Sequence, residues 1–120
     1  MAWDFKKSLP LFVQISDRIR RDIVSGVYSE GEQLPTVRQL AVTVSANPNT
    51  VQHALSLLED EGLVVTRGTS GKFVTSDAAL LDGARVKLKR QAIEMLLSEA
   101  LSLGITAEEI IEYVKEEHIL

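Results

Sequence analysis

Two helix signatures separated by very few residues restrict this chain more than any other feature. VRQLAVTV occupies residues 37–44, and PNTVQHALSLLED begins at Pro48. A connection this short joins two helices into a helix-turn-helix, because neither a strand nor a long crossover fits between them. The caps support both helices. Thr36 is placed to cap the first, with Gln39 at the reciprocal capping-box position. Asn47 caps the second, and Pro48 suits a first helical position because its missing N–H has no helical role there. Gly62 ends that helix.

The second helix of the pair has an unusual surface. Val51, Ala54, Leu55 and Leu58 form an apolar stripe, and opposite it stand Asn49, Gln52, His53 and Ser56 at i, i+3, i+4 and i+7. A solvated helix face usually carries charges, whereas this one carries neutral hydrogen-bonding groups. Major-groove reading of DNA needs one side held in a core and the other free to meet base edges. Asn and Gln can pair bidentately with adenine. Glu59, Asp60 and Glu61 oppose the helix dipole at the far end, so entry into a groove would use the first half of the helix. Arg38 can grip a phosphate or reach guanine. His53 is equally consistent with a base contact and with a place at the edge of the face. The plain alternative is a solvated polar surface.

Around this pair the chain reads as mainly α with a small β-hairpin. Residues 11–25 form a preceding helix, entered at Pro10 and left at Gly26, with Leu11, Ile15, Ile19, Ile23 and Val24 on one side. After Gly62, Leu63–Thr66 and Lys72–Thr75 are β-rich, and Gly68 and Gly71 permit a tight reversal between them. Arg67, Gly68, Thr69, Ser70 and Lys72 lie at that turn, where hydroxyl and cationic groups can meet phosphates or a minor groove. Thr36 and Thr50 are phosphate donors by the same reasoning. Trp3, Phe5, Tyr28 and Phe73 are read as packing residues.

Residues 78–103 predict a long helix, either continuous or broken near Gly83, carrying Val86, Ile93, Leu96, Leu97, Ala100 and Leu101. Gly104 closes it. A shorter helix begins at Thr106, with Glu109 completing a capping box and Ile110, Ile111 and Val114 on its apolar side. Two such helices enclose too little core to stand alone, so they must pack on the first module or on another chain.

Charge separates the two regions. Residues 1–76 hold eight Lys/Arg and eight Asp/Glu, whereas residues 77–120 hold five against nine. The net charge of -4 therefore belongs to the second region, and a neutral first region can still present a local basic surface. With no cysteine, disulfides and thiolate zinc sites are excluded. His53 and His118 share no metal-ligand spacing, and His118 reads as an ordinary terminal residue. No metal, cofactor or catalytic set is expected, and neither is an enzyme. No apolar run approaches the ~18 residues of a membrane span, and MAWDFKKSLPLF has no secretory pattern. A cytoplasmic protein without membrane association is expected.

The chain resembles the GntR family of bacterial transcription regulators, in particular its YtrA-like short subfamily. The likeness runs through SLPLFVQI (8–15), SGVYSEGEQLPTVRQLA (25–41), NPNTVQHAL (47–55), LEDEGLV (58–64), GKFV (71–74) and ALSLGITAEEIIEYV (100–114). It implies a winged helix-turn-helix over residues 1–76 and a two-helix dimerisation appendage over 77–120. It also implies DNA contact at Arg38, Asn47, Asn49 and Thr50. Pro48 and Gln52 stand where the wider family frequently has arginine. RGTSGKF places Gly68 and Thr69 where a basic residue and a glycine are common.

The partners implied are double-stranded DNA with a pseudo-palindromic operator and a second copy of the chain. The activity implied is repression of a transporter-related operon. An unidentified small-molecule effector would act through the break near Gly83. The rival reading is a winged-helix protein-interaction adaptor that does not bind DNA.

Overall fold

The computed structural model describes Trp3 and residues 5–117; His118 lies outside the described residues. Among the described residues, five helices and one hairpin follow in order. They are α1 (Leu11–Val24), α2 (Val37–Val44), α3 (Pro48–Asp60), β1 (Val64–Thr66), β2 (Lys72–Val74), α4 (Ala78–Ser102) and α5 (Ala107–Glu116). By its contacts the chain divides into two compact units, Met1–Arg85 and Val86–Leu120.

In the first unit, α1 turns Ile15, Ile19 and Ile23 inward, α2 Leu40 and Val44, and α3 Val51, Ala54, Leu55 and Leu58. The strands add Val64 and Val74, and the opening turns of α4 add Leu81. Each large aliphatic side chain so enclosed contributes about 1.5–3 kcal/mol relative to exposure. Trp3, Phe5 and Tyr28 pack against this core, as expected for aromatic anchors. The segment before α1 is held by Gln14, whose carboxamide accepts from the Lys6 N–H and donates to the Lys6 and Leu9 carbonyls at 2.6–2.9 Å. The buried Ser16 hydroxyl donates to the Val13 carbonyl at 2.8 Å, so its polarity costs little.

The expected caps form. Thr36 Oγ1 accepts from the Gln39 N–H while Gln39 Oε1 accepts from the Thr36 N–H, at 3.1 and 2.8 Å. Asn47 Oδ1 accepts from the Asn49 N–H at 2.8 Å, with Pro48 opening the helix. Between α2 and α3 the chain turns at Ser45, whose φ of 55° and ψ of 47° are left-handed.

The hairpin forms where the two β-rich runs stand, with residues 67–71 making the reversal. β1 and β2 pair in the register Val64↔Val74, Val65↔Phe73 and Thr66↔Lys72, and a 3-10 turn, Gly68–Ser70, bridges them. Gly68 and Gly71 take φ of 53° and 113°, the positive values that let the chain reverse there. The connector before α2 joins the hairpin: Gln33 bridges Phe73, and the Leu34 N–H donates to the Lys72 carbonyl at 2.9 Å.

Of the two alternatives at Gly83 the continuous one holds, and α4 runs through it without interruption. A glycine inside a helix costs about 1 kcal/mol relative to alanine, too little to stop a helix whose neighbours favour it. Asp77 caps α4 by accepting from the Leu80 N–H at 3.1 Å. Gly62, at φ 82°, ends α3 against Leu80; a Cβ there would lie 2.9 Å from the Leu80 Cδ1. Arg85 donates to the Val24 carbonyl at 3.0 Å and pairs with Asp82.

In the second unit, α4 closes with the Gly104 N–H donating to the Leu101 carbonyl and the Ile105 N–H to the Ala100 carbonyl, a Schellman arrangement. Thr106 and Glu109 form the expected capping box. Ala100 is buried, and Ile110 and Val114 are half-buried. Val86, Ile93, Leu96, Leu97, Leu101 and Ile111 are 42–71 % exposed, and Met95, Leu103 and Tyr113 are exposed as well.

Candidate nucleic-acid interface

The polar residues of α3 reach solvent because the stripe opposite them is fully used. Val51, Ala54, Leu55 and Leu58 are all buried, which leaves Asn49, Gln52 and His53 exposed and Thr50 half-buried. The first turn of α3 carries no carboxylate, and neither does that of α2. Their positive dipole ends are therefore not neutralised from within. The Gln52 carboxamide makes only a long contact with the Ser56 hydroxyl, at 3.5 Å, and keeps its donors and acceptors. Ser56 does not: it is half-buried, and its hydroxyl donates back to the Gln52 carbonyl at 2.9 Å. Asn47 uses its side-chain oxygen as a cap, and its side-chain NH2 has no partner among the described residues. His53 is exposed yet stacked on Phe12, so one ring face is already covered.

Ion pairing sorts the charges of the first unit. Asp17 and Glu61 hold Arg20, the latter through two bonds of 2.7 and 2.9 Å, and Asp22 pairs with Arg18. The Glu61 bond also raises the Arg20 pKa, and burial raises that of Tyr28, with Asp22 and Glu32 adding to it. Neither group lies among the candidate contacts. Arg38 and Arg67 are exposed, and neither has a carboxylate partner among the described residues. A balanced formal count thus leaves the exposed guanidinium groups of Arg38 on α2 and Arg67 at the hairpin without a carboxylate among the described residues, as it does that of Arg21 on α1.

The hairpin is held at both ends. At its stem, the Lys72 ammonium donates to the Glu59 carboxylate of α3, and both reach the Thr66 hydroxyl at 3.1 Å. At its tip, Gln33 Nε2 donates to the Ser70 carbonyl at 2.7 Å. Within the tip, the Arg67 N–H donates to the Gly71 carbonyl and the Ser70 N–H to the Arg67 carbonyl, both at 2.9 Å. The Arg67 guanidinium lies 4.9 Å from the centre of the Phe73 ring. Gly68, Thr69 and Ser70 are exposed, whereas Lys72 is half-buried with its charge committed to Glu59.

The structure therefore places Thr36, Arg38, Asn47, Asn49, Thr50, Gln52, His53, Arg67, Gly68, Thr69, Ser70 and Lys72 in one compact unit, on α2, α3 and the hairpin. Gln33, Glu59 and Phe12, which fix these pieces, carried no signal in the sequence. Their partners are 37, 13 and 41 residues away, respectively, beyond the reach of helical or strand periodicity. Among the described residues, no group of His, Asp and Glu is arranged to hold a metal, and no helix is long and apolar enough to cross a membrane.

Comparison with known proteins agrees with this geometry. Residues 11–74 match the family described as bacterial regulatory proteins, gntR family. The chain is 36 % identical over 111 residues to the uncharacterized HTH-type transcriptional regulator YhcF of Bacillus subtilis, covering 92 % of each chain. It is 33 % identical over 115 residues to the HTH-type transcriptional repressor YtrA of the same organism, covering 94 % of this chain and 88 % of that one. Among solved structures, a GntR family transcriptional regulator from Listeria monocytogenes superposes with a TM-score of 0.83 at 36 % identity. That match covers 93 % of this chain and 98 % of the other.

Proposed function

The chain belongs to the gntR family of bacterial regulatory proteins and is a DNA-binding transcription regulator, and we propose that it works as a homodimeric repressor of the YtrA-like short subfamily. The observation that carries this reading is α3, which buries Val51, Ala54, Leu55 and Leu58 and offers Asn49 and Gln52 to solvent. In the proposed complex the first half of α3 enters the major groove, where Asn49 and Gln52 meet base edges. Arg38, Thr36, Asn47 and Thr50 orient the duplex through phosphates, and Arg67, Thr69 and Ser70 of the wing approach the backbone or the adjacent minor groove. Lys72 braces the wing through Glu59 and leaves the phosphate contacts to Arg67.

Dimerisation is supported by the second unit. A helix pair that leaves Ile93, Leu96, Leu97 and Leu101 exposed gains stability only when another surface covers them. Two copies would present their α3 helices to pseudo-palindromic half-sites about 34–36 Å apart. Repression follows from occupancy of promoter DNA. It is supported by the likeness to the repressor YtrA, and a transporter-related operon is the target that the short-subfamily resemblance implies. The break in α4 that motivated an effector site is absent, so no effector forms part of the proposal.

Selection of bound fragments from random duplex DNA tests the reading. A palindromic motif should be enriched, bound by two chains, with affinity falling steeply as salt rises. Failure to enrich any motif, with no salt-sensitive association, would overturn it in favour of a protein-interaction adaptor.

A further inference from the structure

Gln33 stands in the connector between α1 and α2, where no contact with DNA is expected of it. Its backbone lies beside β2, bridging Phe73, and its side chain extends along the hairpin to the tip. There Nε2 donates to the Ser70 carbonyl at 2.7 Å. The chain passes Gly71 so closely that a Cβ at that position would lie 3.0 Å from the same nitrogen. The other bonds of the tip are local, closing Arg67 to Gly71 and Ser70 to Arg67. The Glu59–Lys72 pair holds the stem and Phe73 lies under the Arg67 guanidinium, but apart from the Gln33 bond residues 68–70 have no long-range hydrogen bond among the described residues. The same connector continues through Leu34 and Pro35 into the Thr36 cap and Arg38.

We infer that Gln33 is a positioning residue that sets the wing tip, so that Arg67 meets DNA in fixed register with Arg38 on α2. This rests on the DNA-binding reading and adds the device that aligns its two guanidinium groups. A loop closed only by its own short-range bonds samples many shapes, and a donor supplied from a packed segment removes that freedom before DNA arrives. Gln33 acts through the tip, not on the duplex.

The test uses the full chain and the duplex enriched by the unmodified protein. Gln33→Met keeps the length and volume of the side chain and removes the donor. Amide exchange at Arg67 and Ser70 should accelerate in Q33M while the amides of Leu55 and Leu58 keep their protection. DNA affinity should fall about threefold to tenfold, the range of one lost hydrogen bond, and the salt slope should fall by about one phosphate.

The double variant separates this role from a general structural one. Arg67→Ala weakens binding on its own, and adding Q33M to it should cost little more, because both act on the same contact. Unchanged exchange at Ser70 in Q33M would overturn the inference, as would fully additive losses in the double variant. If the unmodified protein shows no salt-sensitive binding to any duplex, the DNA reading fails first and takes the functional half of the inference with it. The exchange result then stands apart.

Discussion

The imidazole of His53 lies flat on the ring of Phe12, with centroids 3.8 Å apart and planes inclined by 10°. Phe12 belongs to the first turn of α1 and His53 to the exposed side of α3, so the stack ties the outer surface of one helix to the start of another. Stacked aromatic pairs are worth about 0.5–1.5 kcal/mol beyond their buried area. A double-mutant cycle with Phe12→Ala and His53→Ala, followed by denaturant unfolding, should return a coupling in that range. Zero coupling would mean that His53 is simply a solvated side chain.

Lys72 and Glu59 make a different claim testable. Both are partly shielded, so loss of the pair should destabilise the protein by about 1 kcal/mol, discounted for exposure. Lys72→Met should therefore lower the unfolding midpoint and leave the salt slope of DNA binding unchanged. A slope reduced by about one would show that Lys72 leaves Glu59 to meet a phosphate.

Gln52 and Arg38 should fail differently. Gln52→Ala should relax preference at one operator position by about 1–3 kcal/mol and spare the others. Arg38→Ala should weaken binding across operator variants by similar factors, because a phosphate is the same at every step. Equal losses on every variant for Q52A would remove it from base reading.

Ser45 adopts a left-handed conformation in the turn between α2 and α3, with φ of 55°. Glycine reaches this region without the Cβ clash, although it loses more freedom on folding. Ser45→Gly should raise stability by about 0.5–1 kcal/mol in thermal or denaturant unfolding. A lower midpoint would show that the serine makes a compensating interaction.

Ile93 is 56 % exposed on α4. Ile93→Glu should convert the proposed dimer to monomer in sedimentation analysis. It should also weaken operator binding by about tenfold or more, because the two half-sites are then bound independently. Dimers that persist in this variant would place the subunit contact elsewhere.

Local rules were enough for much of the fold. The Thr36–Gln39 and Thr106–Glu109 capping boxes, the Asn47–Pro48 helix start and the buried stripe of α3 depend on residues one to four positions apart. They are therefore legible in a string of letters. Whether α4 breaks at Gly83 is not legible locally, and the helix runs through because one glycine is a weak opponent of a long favourable helix. The wing reversal at Gly68 and Gly71 is legible too, but its pairing with the connector at Gln33 is not.

By itself, the amino-acid order determined where helices begin and end, which side of each is apolar, and that α3 carries an uncharged polar face. Those properties repeat every few residues and need no distant partner. Only the folded chain decided that Gln33 holds Ser70, that Glu59 engages Lys72, that Glu61 grips Arg20 and that His53 rests on Phe12. Each of these pairs is brought within bonding distance by burial of Ile15, Leu55, Val74 and their neighbours, a closure that no local periodicity encodes.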